Sequence, residues 1–120
     1  MKLSIGIMLL LMAPAVLWAE EESPQFSAEE IAFFKEKVEP ILRQKCYRCH
    51  STEKQQKGDL SLNRRKEILV GGYVGPAAVP GKPEKSYLLK TVVATTYSNV
   101  PQMPPRGGRL GEREVEVLRE

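Results

Sequence analysis

Five consecutive residues, Cys46-Tyr47-Arg48-Cys49-His50, bring together the side chains of this sequence that are best suited to bind a metal or a cofactor. They include both cysteines and the single histidine of the chain. Residues of these types at this spacing occur in four kinds of site: a disulfide, a zinc site, a dithiol redox centre and the covalent attachment of a haem. The rest of the sequence has to distinguish between them.

The number of ligands argues against zinc. Structural zinc takes four protein ligands, and catalytic zinc takes three plus a water molecule. The chain offers only Cys46, Cys49 and His50, with no second Cys or His pair elsewhere. Because adjacent residues of a helix point about 100° apart, Cys49 and His50 would reach one tetrahedral ion only under strain.

The surroundings of the two cysteines argue against a dithiol redox centre. A thioredoxin-like C-x-x-C is expected in a βαβ unit, whereas a segment with helical periodicity precedes Cys46. A Cys46–Cys49 disulfide in a module without a cofactor remains an alternative, because cysteines of exported proteins are normally bonded. It would give His50 no role.

The haem interpretation uses all three residues, because C-x-x-C-H is the attachment signature of c-type haem. Residues three apart share a helical face, so Cys46 and Cys49 can form thioethers with the two vinyl groups. His50 follows on the same turn, where its Nε2 can bind the iron. We expect its other ring nitrogen to donate to a backbone carbonyl, with Pro76 or Pro80 as candidates.

Met103 is the candidate for the sixth iron ligand, because the other methionines all lie within the first 12 residues. Pro101, Pro104 and Pro105 restrict its loop to extended conformations, which can hold a weak thioether ligand in place. A methionine that only fills a gap in the core is the alternative. Coordination by His50 and Met103 would raise the reduction potential of the iron.

The N-terminus has the composition of a secretory signal peptide. Lys2 precedes an apolar run from Leu3 to Leu17, and Ala19 precedes an acidic segment, an order of parts that is typical of such signals. We expect residues 1–19 to be removed and the protein to be exported to the bacterial periplasm. A membrane span needs roughly 20 apolar residues, so a retained anchor, with membrane association, is the alternative.

The remaining chain of about 100 residues is the size of one domain. Lys and Arg number 18 against 15 Asp and Glu, a net charge of +3, which is too balanced to indicate nucleic-acid binding. With nine glycines, nine prolines and 7% aromatic residues, a domain of this size buries little apolar surface by itself. A bound cofactor would supply the missing core.

The elements that must position these residues are short helices. After a polar leader at 20–26, Ser27 and Glu30 predict a capping box at the start of an amphipathic helix that leads to Cys46. Pro40 predicts a kink or a break within it. The apolar residues expected on its inner face are Ile31, Phe34, Val38, Ile41 and Leu42.

Three further helices are predicted beyond the Cys-His motif. Asn63 is expected to cap a helix at 64–70 that the following glycines end. Residues 71–83, rich in glycine and proline, predict a loop. A third helix is expected at 83–93, with Leu88, Leu89, Val92 and Val93 buried, and a fourth at 111–120, with Val115 and Leu118 on its inner face.

Four strings of the sequence resemble the planctomycete-type cytochrome c domain. They are KVEPILRQKC at 37–46, CYRCH at 46–50, GDLSLNRRKEILVGGYVGPAAVPGKPEKSYLL at 58–89 and MPPRG at 103–107. The resemblance extends over roughly 33–118. It implies an all-α, class I-like domain over 27–120, with three to four helices around one covalently bound haem.

The resemblance also implies the site and its function. Cys46 and Cys49 match the haem cysteines of the family, His50 its proximal histidine and Met103 its methionine. The chain would then be an exported monohaem c-type cytochrome that carries single electrons, not an enzyme. Its partners would be an unidentified dehydrogenase or oxidase, and the domain could serve as an electron-accepting module for a partner dehydrogenase. A haem-based enzyme or gas sensor, with an open sixth site, is the alternative function.

Two features depart from the family pattern. Asn63 stands where the family usually has Asp, a change that should keep the helix cap. The last helix of the family usually continues through a Trp-Ile pair, whereas this sequence ends at Glu120. We therefore expect a truncated last helix, from a truncated reading frame or in a domain less stable than its relatives.

Other residues are expected to surround the haem. The candidates for its apolar wall are Leu60, Leu62, Tyr73, Val79, Leu88, Leu89 and Val92. The candidates for hydrogen bonds to its propionates are Arg64, Arg65, Tyr87 and Tyr97. Solvent-exposed side chains without such a role are the alternative for each of these four.

Overall fold

The computed structural model describes residues 24–120, and the predicted signal peptide lies outside this range. The described part is helical and contains no β-strand, only two isolated bridges. The prediction of an all-α fold is confirmed for this part of the chain. The α-helices are α1 (Ala28–Phe33), α2 (Glu39–Lys45), α3 (Arg65–Val70), α4 (Tyr87–Val92) and α5 (Glu112–Arg119).

The first helix begins with the predicted capping box. The Ser27 hydroxyl accepts a hydrogen bond from the Glu30 N–H at 3.1 Å, and the Glu30 carboxylate accepts one from the Ser27 N–H at 2.8 Å. Two N–H groups without a partner inside the helix are thereby bonded. This part of the prediction is confirmed.

Pro40 changes the hydrogen bonding of the first helix without ending it. A proline has no N–H to donate to the carbonyl four residues earlier, and its ring crowds that carbonyl. The segment Phe34–Val38, between α1 and α2, is π-helical, and the Glu39 N–H bonds to the Phe34 carbonyl five residues back. The expected kink or break is therefore a wider helical turn just before the proline.

Asn63 does not cap α3, so this prediction was wrong. The residue before the helix is Arg64, which makes no side-chain capping bond. Asn63 Oδ1 instead accepts hydrogen bonds from the Thr52 N–H at 3.1 Å and from the Ser61 hydroxyl at 2.6 Å. Its side chain is used to join two loops rather than to begin a helix. Gly71 ends α3 as expected, with a φ of 77°.

The helix expected at 83–93 is divided in two. Pro83–Lys85 form a 3-10 turn, and Ser86 is extended, because its hydroxyl accepts from the Val79 N–H at 2.9 Å. Val93 is 50% exposed, against the prediction, and Leu88 is only half-buried. Residues 71–83 form the predicted loop up to this turn.

The core places the Cys-His motif in the centre of the domain. Leu42, Cys46, Leu62 and Ala77 form the buried cluster, and Leu118 of α5 packs against it. Helix α5 also contacts α4 and the π-helical segment, so the last helix closes the core against the first. Within the described range, every helix is too short or too polar to span a membrane.

Candidate functional site

The Cys-His motif forms a turn at the end of α2. The Cys46 N–H still bonds to the Leu42 carbonyl at 2.8 Å, whereas the N–H groups of Cys49 and His50 both bond to the Cys46 carbonyl, at 3.1 and 3.0 Å. The helix itself ends at Lys45. The motif therefore follows the helix rather than lying on it, and the turn keeps both cysteines and the histidine together.

The chain after the motif folds back onto His50. The His50 carbonyl accepts from the Leu62 N–H at 2.9 Å, and the Cys49 carbonyl accepts from the Lys57 N–H at 2.9 Å. His50 also forms an isolated antiparallel bridge with Gln56. Backbone bonds thus fix the main chain of the histidine from both sides.

The His50 ring lacks the predicted carbonyl partner. Its Nδ1 is buried and forms no hydrogen bond within residues 24–120. The expected bond to the carbonyl of Pro76 or Pro80 is absent there, because this loop is bonded to its flanking helices. The Ala77 N–H donates to Ile68 of α3, and the Ala77 carbonyl accepts from the Leu88 N–H of α4.

Met103 lies in a loop that is bonded to the end of α4. The Met103 N–H donates to the Thr91 carbonyl at 3.0 Å. The Arg109 guanidinium donates to the carbonyls of Val92, at 3.0 Å, and of Ala94. Val92 is the last residue of α4, and its carbonyl has no partner inside the helix. Arg109 therefore caps α4 and joins the helix end to the loop that contains Met103.

One cleft brings the four predicted site residues together. Its volume is about 760 Å³, and Cys46, Cys49, His50 and Met103 all line it. Sites for small molecules and cofactors typically measure about 300–1,000 Å³. The motif and the methionine are more than 50 residues apart in the sequence, so only the tertiary fold places them at one cavity.

The side chains of this cleft fit a haem better than a metal ion alone. Both cysteines are free thiols, which are the groups that form thioethers with haem vinyl groups. An imidazole with an unbonded buried nitrogen stands beside them. No group of three or more His, Cys, Asp or Glu residues suited to a metal ion occurs in residues 24–120.

A family model described as Planctomycete cytochrome C matches residues 46–107, just over half of the chain. The chain belongs to the planctomycete cytochrome c family. No curated protein and no solved structure matches it. The match begins at Cys46 and includes Met103, so all four predicted site residues lie within it. Membership of this cytochrome family indicates a c-type cytochrome with haem c and iron.

The apolar wall of the cytochrome cleft was predicted in part. Leu60, Tyr73, Leu88 and Val92 line it. Leu62 is 1% exposed and belongs to the core cluster behind the cleft. Val79 and Leu89 line a separate pocket of about 200 Å³.

Of the four residues predicted to bond the haem propionates, only Tyr87 lines the cleft. Arg64, Arg65 and Tyr97 lie outside it. The Arg65 guanidinium lies 5.2 Å from the centre of the Phe26 ring. Four other cations line the cleft instead: Lys45, Arg48, Lys57 and Arg106. All four lie within or next to the strings quoted above, and this proximity is the one signal that could have indicated them.

Burial raises the pKa of the Cys46 thiol to about 11, although the positive charge of Lys45 opposes the shift. The thiol is therefore protonated at neutral pH and packs as an apolar group. Burial also raises the pKa of the adjacent Tyr47 hydroxyl, and the Glu39 carboxylate adds to this effect. The interior face of the motif is thus a site of low polarity.

Proposed function

We propose that this protein is an exported monohaem c-type cytochrome that carries single electrons. Cys46 and Cys49 would attach the haem, and His50 and Met103 would bind its iron. One observation carries the proposal: the two thiols, the imidazole and the thioether all line the same cleft of about 760 Å³. The family to which the chain belongs supports the same assignment.

When bound, the haem supplies a one-electron Fe(III)/Fe(II) couple. The residues of the chain hold it and set its environment. The main chain of His50 is hydrogen-bonded on both sides, and these bonds would hold its imidazole in place as an iron ligand. Met103 would occupy the sixth position, exclude exogenous ligands and raise the reduction potential, because a soft thioether favours the ferrous state.

The proposed setting is the bacterial periplasm, after removal of residues 1–19. The order of a cation, an apolar run and a small residue supports export. A dehydrogenase or an oxidase would exchange electrons with the cytochrome. A carrier must release each partner quickly, so we expect a small and transient contact surface.

Expression with a haem-maturation system tests the proposal. Denaturing electrophoresis followed by haem staining should give a stained band at the mass of the protein, because a thioether-linked haem survives denaturation. A protein expressed without the maturation system provides the unstained control. If the protein from cells with the maturation system also gave no stained band, the proposal would be contradicted.

The role of Met103 is tested on the stained protein by spectroscopy. A ferric absorption band in the far red should be present in the wild type and absent in Met103→Ala. Carbon monoxide should bind slowly to the ferrous wild type and rapidly to the variant. Rapid binding to both would instead indicate the alternative function, a haem enzyme or gas sensor with an open sixth site.

A further inference from the structure

The surface around the cleft is basic. Lys45, Arg48, Lys57 and Arg106 line the cleft, and no carboxylate of residues 24–120 does so. Arg48, Lys57 and Arg106 are exposed. None of the four belongs to the ion pairs formed within the described range, which join residues of α2 and of α5. Their positive charge therefore faces the solvent and the cleft.

The acidic side chains of residues 24–120 lie outside the cleft lining. Those of the first helix and α5 are interspersed with lysines and arginines, and the others are Glu53, Asp59, Glu67, Glu84 and Glu120. The nearly neutral overall composition thus conceals a cleft whose charged lining residues are all Lys or Arg. A local excess of positive charge produces a field that attracts anions to one face of a protein.

Two large apolar side chains project beside these cations. Tyr73 is 84% exposed and Val74 is 64% exposed, and both line the cleft. They lie at the tip of a tight turn in which the Gly75 N–H bonds to the Gly72 carbonyl at 3.0 Å. Exposed aromatic residues next to arginine are typical of protein interfaces.

The turn is bonded to the segment that contains Lys57. The Tyr73 N–H donates to the carbonyl of Gly58, the residue after Lys57, at 3.0 Å. The approach is so close that a Cβ atom on Gly72 would lie 2.2 Å from the Gly58 oxygen. The backbone that carries the exposed apolar pair is therefore packed closely against residue 58.

We propose that the cleft rim, defined as Lys45, Arg48, Lys57, Arg106, Tyr73 and Val74, is the docking surface for a redox partner protein with an acidic patch. This inference rests on the proposed electron-carrying function. The complementary charges would accelerate encounter without making the complex long-lived. Tyr73 and Val74 would form the apolar contact at the point where the cleft opens.

The test uses the reduced protein with its haem attached, in a stopped-flow instrument. Hexacyanoferrate(III), an anion, and tris(phenanthroline)cobalt(III), a cation, each accept one electron from the ferrous protein. We expect the rate with the anion to fall as salt is added and the rate with the cation to rise, because salt screens both interactions. Poly-L-glutamate mimics an acidic protein surface. It should slow the reaction with hexacyanoferrate(III), and only at low salt.

Charge reversal locates the effect. Lys57→Glu and Arg106→Glu should each slow the anionic reaction about three- to tenfold at low salt and speed the cationic one. Lys35→Glu makes the same change of charge as Lys57→Glu on an exposed residue of the first helix, outside the cleft, and should change either rate less than about twofold. Unchanged melting temperatures would show that the variants are folded.

The outcomes separate this inference from the proposed function. A protein that contains haem but reacts equally with both oxidants at all salt concentrations would overturn the docking surface alone. Equal effects of Lys57→Glu and Lys35→Glu would also overturn it, because net charge would then be sufficient. A protein without haem would overturn the proposed function and this inference with it.

Discussion

The two sides of the cleft are built in different ways. The histidine side contains a local turn, in which the Cys46 carbonyl accepts hydrogen bonds from Cys49 and His50, and longer-range bonds such as that from the Leu62 N–H to the His50 carbonyl add to this turn. On the methionine side, the bonds join residues that are far apart in the chain. The Met103 N–H donates to Thr91, and Arg109 reaches back 17 residues to Val92.

This difference indicates which side of the site is easier to disturb. A short turn orders few residues, whereas a long loop loses more conformational entropy when its ends are joined. The histidine side also continues from α2, which contributes Leu42 to the core, and Cys46 itself belongs to the same buried cluster. We therefore expect the histidine side to remain in place under changes that release the methionine.

The largest expected effect is the loss of covalent haem from the histidine side. Replacement of both cysteines, Cys46→Ser with Cys49→Ser, removes the thiols that form the thioethers. Haem staining after denaturing electrophoresis should then fall to background, because no other cysteine exists in the chain. Arg48→Lys, which alters only the spacer of the motif, should stain like the wild type. Retained stain in the double variant would refute covalent attachment.

Next in size is the release of the methionine side by Arg109→Gln. The variant loses the charged bonds to the carbonyls of Val92 and Ala94, each worth about 1.5–3 kcal/mol. The haem should stay covalently attached while the far-red band weakens and carbon monoxide binding accelerates about tenfold or more, a change of at least ~1.4 kcal/mol.

Arg113→Gln is the matched control for Arg109→Gln. It removes the same charge from an exposed residue of α5 and should leave the band and the binding rate unchanged. If both variants accelerate carbon monoxide binding equally, Arg109 does not hold the methionine loop through its bonds to α4.

A smaller effect is expected from Asn63, which joins the loops on the histidine side. Asn63→Ala leaves the Thr52 N–H and the buried Ser61 hydroxyl without their acceptor, at a cost of about 1–3 kcal/mol in unfolding free energy. Asn63→Asp keeps the acceptor oxygen and should lose less than half as much. Urea unfolding measures both, and equal losses would show that the amide nitrogen matters more than the oxygen.

The smallest expected effect is on the pH dependence of stability. The pKa of Tyr47 is raised above its ordinary value of 10.0, so the unfolded chain releases this proton at lower pH than the folded protein. The contribution of the Tyr47 hydroxyl to the unfolding free energy is therefore constant below about pH 10 and is lost as the pH rises further. Relative to the wild type, Tyr47→Phe should become more stable between pH 9 and pH 11, by about 1 kcal/mol or less. If the difference in unfolding free energy between the two proteins stayed constant from pH 9 to pH 11, the raised pKa of Tyr47 would be contradicted.

Much of the helical fold could be predicted because its signals are local. The Ser27–Glu30 capping box lies within four residues, and Gly71 ends α3 as expected. The role of Asn63 could not be predicted, because its partner Thr52 is 11 residues away. At Pro40, the sequence predicts the loss of a backbone bond but not the π-helical turn that accommodates it.

The structure brings the four predicted site residues to one cleft, whereas the cations at its edge were not predicted. The Cys-His motif is recognised by its residue types, and Met103 by the prolines around it. Neither prediction requires knowledge of how the chain packs. The cations around the cleft carry no such signal. Lys57 and Arg106 have no distinctive spacing, and only the tertiary fold brings them to one cavity. The bonding of the loop around Ala77 to α3 and α4 likewise depends on packing.

The mass of the intact secreted protein tests the central claim most directly. Protein purified from cells that attach haem should weigh as much as the chain without residues 1–19 plus one haem, with both thiols consumed. Its reduced, denatured absorption spectrum should show one thioether-linked haem for each chain. A mass equal to that of the polypeptide alone, from cells that load a control cytochrome normally, would contradict the assignment of this cleft to a haem.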